Sequence, residues 1–542
     1  MGKKRFGVML DVSRNAVMNI SEVKKFAKTI SDLGYNMIQL YTEDTYTVEN
    51  EPYFGYMRGR YTKEELKEFD AYCKEIGVEI IPCIQTLAHL NAIFRWAEYQ
   101  KFNDVNDILL IDEPRTYEFI ENMIVSVKEC FNTNIVHVGM DEAHMVGLGK
   151  YLDKYGYKDR FDILIGHLNK VIEICKKHDM HPLIWSDMFF RLINHGDYYL
   201  EGDLKADAVD VIKDKIPSSA GIVYWDYYNT ERSMYKKMID AHYRMSKDVW
   251  FAGGAWTWRG FAPLNKYSLG TMLPAMQECR DNGVDNVLIT MWGDDGAECS
   301  RYSALPSLYY IKRVYDGEEN LDLIKKEFKD ITGEDFDGMM ALDLPNYIGD
   351  FETNEGAVCA AKYLLYNDAF RGFLDSTIPE GCDEYFKNTA NLLREKQKDS
   401  KFTHTFETLI RLCDVLELKG TLGIKIHKAY DEKDNKALKN CIKDIDKILV
   451  RLDAFYKAFR AQWYLENKPH GFDIQDIRLG GLMQRLKNCK QVLTDYIKGK
   501  LDKITELEEK ILPFPEITSD KKGSISFNSW MRTVSVNCMY HV

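Results

Sequence analysis

A short apolar, β-rich run followed by a polar helical stretch recurs eight times in the first three-fifths of the chain, and few folds accommodate that rhythm. The runs are Phe6–Val12, Asn36–Tyr41, Val78–Ile84, Asn134–Met140, His181–Met188, Gly221–Tyr227, Val249–Ala255 and Asn286–Trp292. Many follow a helix-ending glycine or a polar turn, as in Leu33-Gly34-Tyr35, Ile76-Gly77 and Asn282-Gly283. Between them lie amphipathic stretches such as Glu22–Leu33, Lys63–Ile76 and Phe161–His178. Runs this apolar read as strands covered on both faces, the condition of a parallel sheet. Eight strand–helix units predict an α/β fold, a (β/α)8 TIM barrel over residues 1–335. An open doubly wound sheet is the alternative; it would more naturally carry a Gly-rich nucleotide loop, and none is present.

Beyond about Gly333 the pattern changes to helical spacing, with apolar positions three and four apart in Leu409–Leu416, Leu438–Phe455 and Leu482–Leu501. Residues 336–512 are therefore expected to form an α-helical C-terminal region. No low-complexity linker precedes it, so it is expected to pack on the barrel. Pro513-Phe514-Pro515 ends the helical pattern, and 513–542 reads as an extended tail. Arg478-Leu479-Gly480-Gly481 interrupts the periodicity and predicts a tight helix-to-helix turn, with a role beside the barrel mouth as the alternative.

Charge and cysteine usage narrow the function classes. The formal net charge is −12, the opposite of the basic field that phosphate binding needs. The first apolar run is short and broken early by Asp11, unlike a secretory leader, and no stretch of about 18 apolar residues suggests a membrane span. The 12 cysteines are scattered without a CxxC pair, which suits reduced thiols. A cytoplasmic protein is expected, without nucleic-acid or membrane partners.

In a parallel barrel the strand C-termini and the loops after them build the active site. The eight runs lead into Asp11-Val12-Ser13-Arg14, Tyr41-Thr42-Glu43-Asp44, His89, Asp141-Glu142, Trp185-Ser186-Asp187, Trp225-Asp226, Trp256-Thr257-Trp258 and Trp292-Gly293-Asp294. Carboxylates and tryptophans thus recur at the same end. That mix suits a sugar: aromatic faces cover the C–H face of a pyranose, while carboxylates and arginine bond its hydroxyls. Glycosidic cleavage needs a proton donor and a group that stabilises an oxocarbenium-like centre. An adjacent Asp-Glu pair supplies both if the chain turns there, and crowding is expected to raise the pKa of one carboxyl.

Two other readings of the same residues fail. Asp141-Glu142-Ala143-His144 spells a helicase box, but no GxxxxGK[ST] phosphate loop accompanies it. His137, Asp141 and His144 could be imagined around a metal, yet no HExxH supports one, and neither metal nor cofactor is expected. His137 is expected to hold its loop and His144 to lie in a surface turn. Asp187 and Asp226 are open between structure and substrate.

His137-Val138-Gly139-Met140-Asp141-Glu142 resembles the H-x-G-x-D-E motif of glycoside hydrolase family 20, the β-N-acetylhexosaminidases. Gly7-Val8-Met9-Leu10-Asp11-Val12-Ser13-Arg14 is similar to that family's first barrel strand. The resemblance covers about residues 5 to 310 and suggests a shorter subgroup that begins at the barrel. It implies substrate-assisted hydrolysis with retention, the 2-acetamido group acting as nucleophile. Asp141 would orient that group and Glu142 would serve as general acid and base. Arg14 would hold the 3- and 4-hydroxyls, and His89 with Glu43 or Asp44 would support the acid. Trp185, Trp225 and Trp292 would wall the sugar pocket, joined by Trp256, and Asp294 would bind the 4- or 6-hydroxyl. The family's acetamido-binding tyrosine has no counterpart after strand seven, leaving Tyr224, Tyr227 or Tyr228. The partner implied is a GlcNAc- or GalNAc-terminated oligosaccharide or glycoconjugate; a homodimer is left open. The competing readings are a catalytically silent sugar-binding barrel and a retaining glycosidase with a protein carboxylate nucleophile.

Overall fold

The computed structural model describes residues 4–200, 208–348, 356–515, 522–523 and 525–539. Eight parallel strands close into a barrel in sequence order: β1 (Arg5–Asp11), β2 (Met37–Tyr41), β3 (Glu79–Cys83), β4 (Ile135–His137), β5 (His181–Trp185), β6 (Gly221–Trp225), β7 (Val249–Gly254) and β8 (Asn286–Met291). Closure is made by β1 on β8, where Val8 pairs with Ile289. The doubly wound alternative is thereby excluded, because an open sheet has no such pairing.

Helices follow each strand, and their ends are set by local chemistry. Thr62 and Glu65 form a reciprocal capping box at the start of Lys63–Glu75. Asn19 caps Ile20–Asp32 and Asp159 caps Arg160–Lys177, each accepting a first-turn amide. Pro114 opens Pro114–Cys130, where a missing N–H costs nothing. Alternate strand positions, among them Met9, Tyr41, Ile81, Cys83, Leu183, Trp185, Val223 and Leu288, meet in one buried cluster, with Trp225 and Trp292 packed on it. The barrel is filled, not hollow.

Two of the expected runs end three residues early. The Asn134–Met140 run stops as a strand at His137, because Gly139 (φ 74°) and Met140 (φ 72°) turn left-handed. The His181–Met188 run stops at Trp185, and Asp187–Ile193 is already helical.

The chain divides into two compact units, the first Met1–Ala255, Ser268–Trp292 and Leu308–Asn320, the second Trp256–Tyr267, Gly293–Ser307 and Leu321–Val542. The second is dominated by helices Cys382–Gln397, Thr403–Lys419, Asn435–Glu466 and Phe472–Ile497. The 32-residue Asn435–Glu466 helix spans about 48 Å. Leu438, Cys441, Ile445, Ile448, Leu452, Phe455 and Phe459 bury one stripe of it. In the expected tail, the Ile525 carbonyl accepts the Cys359 amide and the Trp530 amide donates to Asp295. Residues 516–521, Ser524 and 540–542 of that tail lie outside the described residues.

The turn expected at Arg478-Leu479-Gly480-Gly481 is not there: all four sit inside the Phe472–Ile497 helix. Burial of Leu479, Leu482 and Leu486 outweighs the low helix propensity of the glycines. Arg478 adds anchorage, pairing with Asp295 at 3.1 Å and Glu298 at 2.8 Å in the segment that follows β8. A Cβ at Gly480 or Gly481 meets nothing within 4 Å. Gly480→Ala and Gly481→Ala are each expected to stabilise the protein by about 0.5–1 kcal/mol, read as a higher urea midpoint. A lowered midpoint would show that the helix needs the glycines.

Candidate active site

The end of β4 does the central work. His137 accepts the Gly139 amide on Nδ1 at 3.1 Å and holds the turn, as its place in the sequence suggested. Burial lowers its pKa to about 3, so it is a neutral strut. The left-handed turn at Gly139 and Met140, followed by Glu142 at φ 51°, breaks the strand's alternation. Adjacent side chains therefore part: that of Asp141 is 10% exposed and that of Glu142 45%. Non-glycine residues at positive φ are costly and gather at functional sites; Asn15, Glu43 and His89, after β1, β2 and β3, are three more.

Asp141 is clamped from two sides. Gln85 Nε2 donates to its Oδ1 at 2.7 Å, while Gln85 Oε1 accepts the Met140 amide at 3.1 Å. His89 Nε2 lies 3.3 Å from Asp141 Oδ2 and 3.7 Å from Glu142 Oε2. Burial works against a charged Asp141, but the His89 cation and the Gln85 amide outweigh it and hold its pKa below the ordinary carboxylate value. Burial likewise opposes the charge on His89, yet Asp141 and then Glu43 raise its pKa from 6.5 to about 10. Each ion keeps the other charged.

The sign of the linkage follows. The raised pKa of His89 contributes stability that is full below about pH 6.5 and fades as pH rises through about 10. The lowered pKa of Asp141 contributes above its unfolded value of about 3.8 and is lost on further acidification. A proton NMR titration of the His89 ring is expected to show no deprotonation between about pH 6 and 8. A midpoint near 6.5 would mean that the pair does not form.

From Asp141 the polar network runs outward. Gln85 Nε2 also donates to the Tyr41 hydroxyl at 3.0 Å, and Tyr41 donates to Glu43 Oε1 at 3.0 Å. Arg14 Nη2 reaches the same Glu43 oxygen at 3.0 Å. Burial raises the pKa of Glu43, and Arg14 opposes that. Asp44 faces elsewhere, taking Arg58 Nε at 3.0 Å. Of the pair after β2, Glu43 thus sits on Arg14, while Asp44 anchors a loop.

Asp187 is fully buried, and its Oδ2 accepts the Glu142 amide at 3.1 Å and Arg191 Nε at 3.3 Å. Burial, then the Asp141 charge, push its pKa up to about 7. The crowding anticipated from the sequence is felt here, while the cationic His89 spares Asp141. Asp226 is also fully buried and accepts from Tyr224, Asn229, Tyr199 and the Tyr228 amide. Each carboxyl thus accepts from donors of the protein itself. His144 lies exposed in the turn after Glu142.

Aromatic rings line the same end of the barrel. Trp185 packs on His137 with ring centroids 4.3 Å apart and on Trp292 at 6.3 Å; Trp292 meets the edge of Tyr41 at 4.8 Å. Trp225 stacks on Tyr227 at 5.4 Å, with Arg191 over its other neighbour, Tyr198. The Tyr224 hydroxyl donates to Asp226, which commits it to the protein's own network. Trp256 and Asp294 belong to the second unit, where Trp256 is buried and stacks on Trp258 at 4.2 Å.

Of the residues proposed from sequence, Arg14, His89, Asp141, Glu142, Trp185 and Trp292 fall into one connected group through Glu43, Tyr41 and Gln85. Gln85 was missed; its signal was a polar side chain two residues past the end of β3. A Cβ on Gly139 would lie 2.1 Å from Gln85 Oε1 and 2.8 Å from the Ile84 carbonyl. Gly139→Ala is expected to cost about 1–3 kcal/mol in stability and to displace Gln85 from Asp141. An unchanged melting temperature would contradict this.

The geometry has counterparts. The sequence model for "Glycosyl hydrolase family 20, catalytic domain" matches residues 5–251, and that for "Glycoside Hydrolase 20C C-terminal domain" matches 337–526. A β-hexosaminidase of Akkermansia muciniphila is 27% identical over 169 residues, covering 25% of this chain and 34% of its own. One from Vibrio furnissii is 28% identical over 134 residues, covering 22% and 21%. Human hexosaminidase D is 23% identical over 229 residues, covering 41% and 44%. The matched parts thus span a fifth to under half of those relatives. With both family models matched in order along the chain, the chain belongs to glycoside hydrolase family 20.

Proposed function

We propose that this protein is an exo-acting β-N-acetylhexosaminidase that removes terminal GlcNAc or GalNAc from the non-reducing end of oligosaccharides or glycoconjugates. The observation that carries the reading is a buried, ionised Asp141 clamped by Gln85 and His89, with the accessible carboxyl of Glu142 next in the chain. The substrate's 2-acetamido oxygen attacks C1 while Glu142 protonates the departing glycosidic oxygen. Asp141 accepts the acetamido N–H and offsets the positive charge that develops on the oxazolinium ring. Glu142 then takes a proton from the water that opens this ring, so configuration is retained. Arg14, held on Glu43, offers donors to the ring hydroxyls. Trp185, Trp225, Trp292 and Tyr227 supply aromatic walls.

Asp187 does not suit the role of a protein nucleophile, since it is fully buried and bonded to the Glu142 amide. The twelve separate thiols, eleven of them buried, support a reducing compartment, and we place the enzyme in the cytoplasm.

A set of nitrophenyl β-glycosides with and without the 2-acetamido group tests the assignment. Nitrophenol is expected only from the acetamido sugars. Equal release from the plain glucoside would overturn the mechanism, and no release from any would favour a silent sugar-binding barrel.

A further inference from the structure

The loops after β2 and β3 carry three aromatic rings that neither the core nor the proposed reaction uses. Tyr53 is 45% exposed and Tyr56 42% exposed, and beside both stands the partly exposed Trp96. Tyr53 stacks on Trp96 at 5.4 Å, Tyr56 meets it edge-on at 5.6 Å, and the two tyrosines touch at 6.1 Å. Leaving large aromatic surface in water forgoes its burial energy, so such a cluster marks a surface kept for contact.

The cluster is also held rigid, which a merely frayed loop would not be. Glu51, buried, takes Arg115 on both oxygens at 2.7 and 2.8 Å. Arg60 bonds the Phe54 carbonyl. Arg58 donates to Asp44 at 3.0 Å, to Asn15 at 2.8 Å and to the Ser13 carbonyl at 2.5 Å. Next to it Met57 sits at φ 62° with 75% exposure, a strained and solvent-facing position.

These anchors tie the rings to the candidate active site. Ser13 and Asn15 flank Arg14, Asp44 follows Glu43, and Trp96 lies seven residues after His89 on the β3 loop. The same two loops therefore carry buried Glu43 and largely buried His89 as well as the three partly exposed rings. From this we propose that Tyr53, Tyr56 and Trp96 form a preorganised platform for a further pyranose ring of the oligosaccharide whose terminal sugar sits at Asp141 and Glu142; this rests on the proposed hexosaminidase reading. Preformed rings lose little freedom on binding, and their apolar surfaces match the C–H face of a sugar.

Binding is best measured on the full chain carrying Glu142→Gln, so that ligands survive, with N-acetylglucosamine and its β-1,4-linked trimer as probes. The trimer is expected to bind more tightly than the monosaccharide. Adding Trp96→Ala or Tyr56→Ala is expected to weaken the trimer about 10-fold while leaving the monosaccharide unchanged, which also reports an intact fold. A trimer that binds no more tightly than the monosaccharide, or variants that weaken both alike, overturns the platform. The hexosaminidase reading stands or falls separately, on nitrophenyl-β-GlcNAc hydrolysis by the unmodified chain.

Discussion

Glu142→Gln is expected to lower turnover of substrates with poor leaving groups by about 10²–10⁴-fold while the sugar still binds, because the amide keeps the shape but cannot supply a proton. The side chain is nearly half exposed, so the substitution leaves no buried charge unpaired and should leave stability unchanged. Its backbone stays fixed by Asp187. An aryl leaving group of low pKa needs less protonation, so the loss should shrink on nitrophenyl substrates. A loss of the same size on good and poor leaving groups would remove Glu142 from the role of proton donor.

Asp141→Asn is expected to reduce kcat by about 10²–10³-fold, the size commonly seen when one preorganised electrostatic partner is removed. Here the leaving group should not matter, because the lost interaction is with the acetamido group. The substitution carries a second readout. Asp141 is the main influence raising the pKa of His89 against burial, so without it the His89 pKa falls. The His89 ring would then titrate far below about 10, and its NMR signal should show it. Near-normal turnover in this variant would contradict the mechanism outright.

Much of the site was legible because a parallel barrel sends every strand's C-terminus to one face. Asp141, Glu142, Arg14, His89, Trp185 and Trp292 could be singled out from position at the ends of the eight runs. Gln85 was not singled out, since its one signal, a polar side chain two residues past β3, is shared by many loop residues. The choice between Glu43 and Asp44 was equally closed: the left-handed backbone at Glu43 decides which carboxylate meets Arg14 and which meets Arg58. Periodicity also misjudged Arg478–Gly481, because a propensity cost of about 1 kcal/mol per glycine is local, whereas the burial that overrides it comes from other helices.

By itself, then, the sequence determined the strand–helix alternation, the closure class, the face on which chemistry must lie and the acidic pair at its centre. These follow from hydrophobic period and residue type, which are properties of short stretches of chain. Tertiary structure alone decided the charge states, setting Asp141 low, His89 at about 10 and Asp187 at about 7. Those values depend on burial and on which charges lie within a few ångströms, and residues 52 positions apart, such as His89 and Asp141, become neighbours only once the barrel closes.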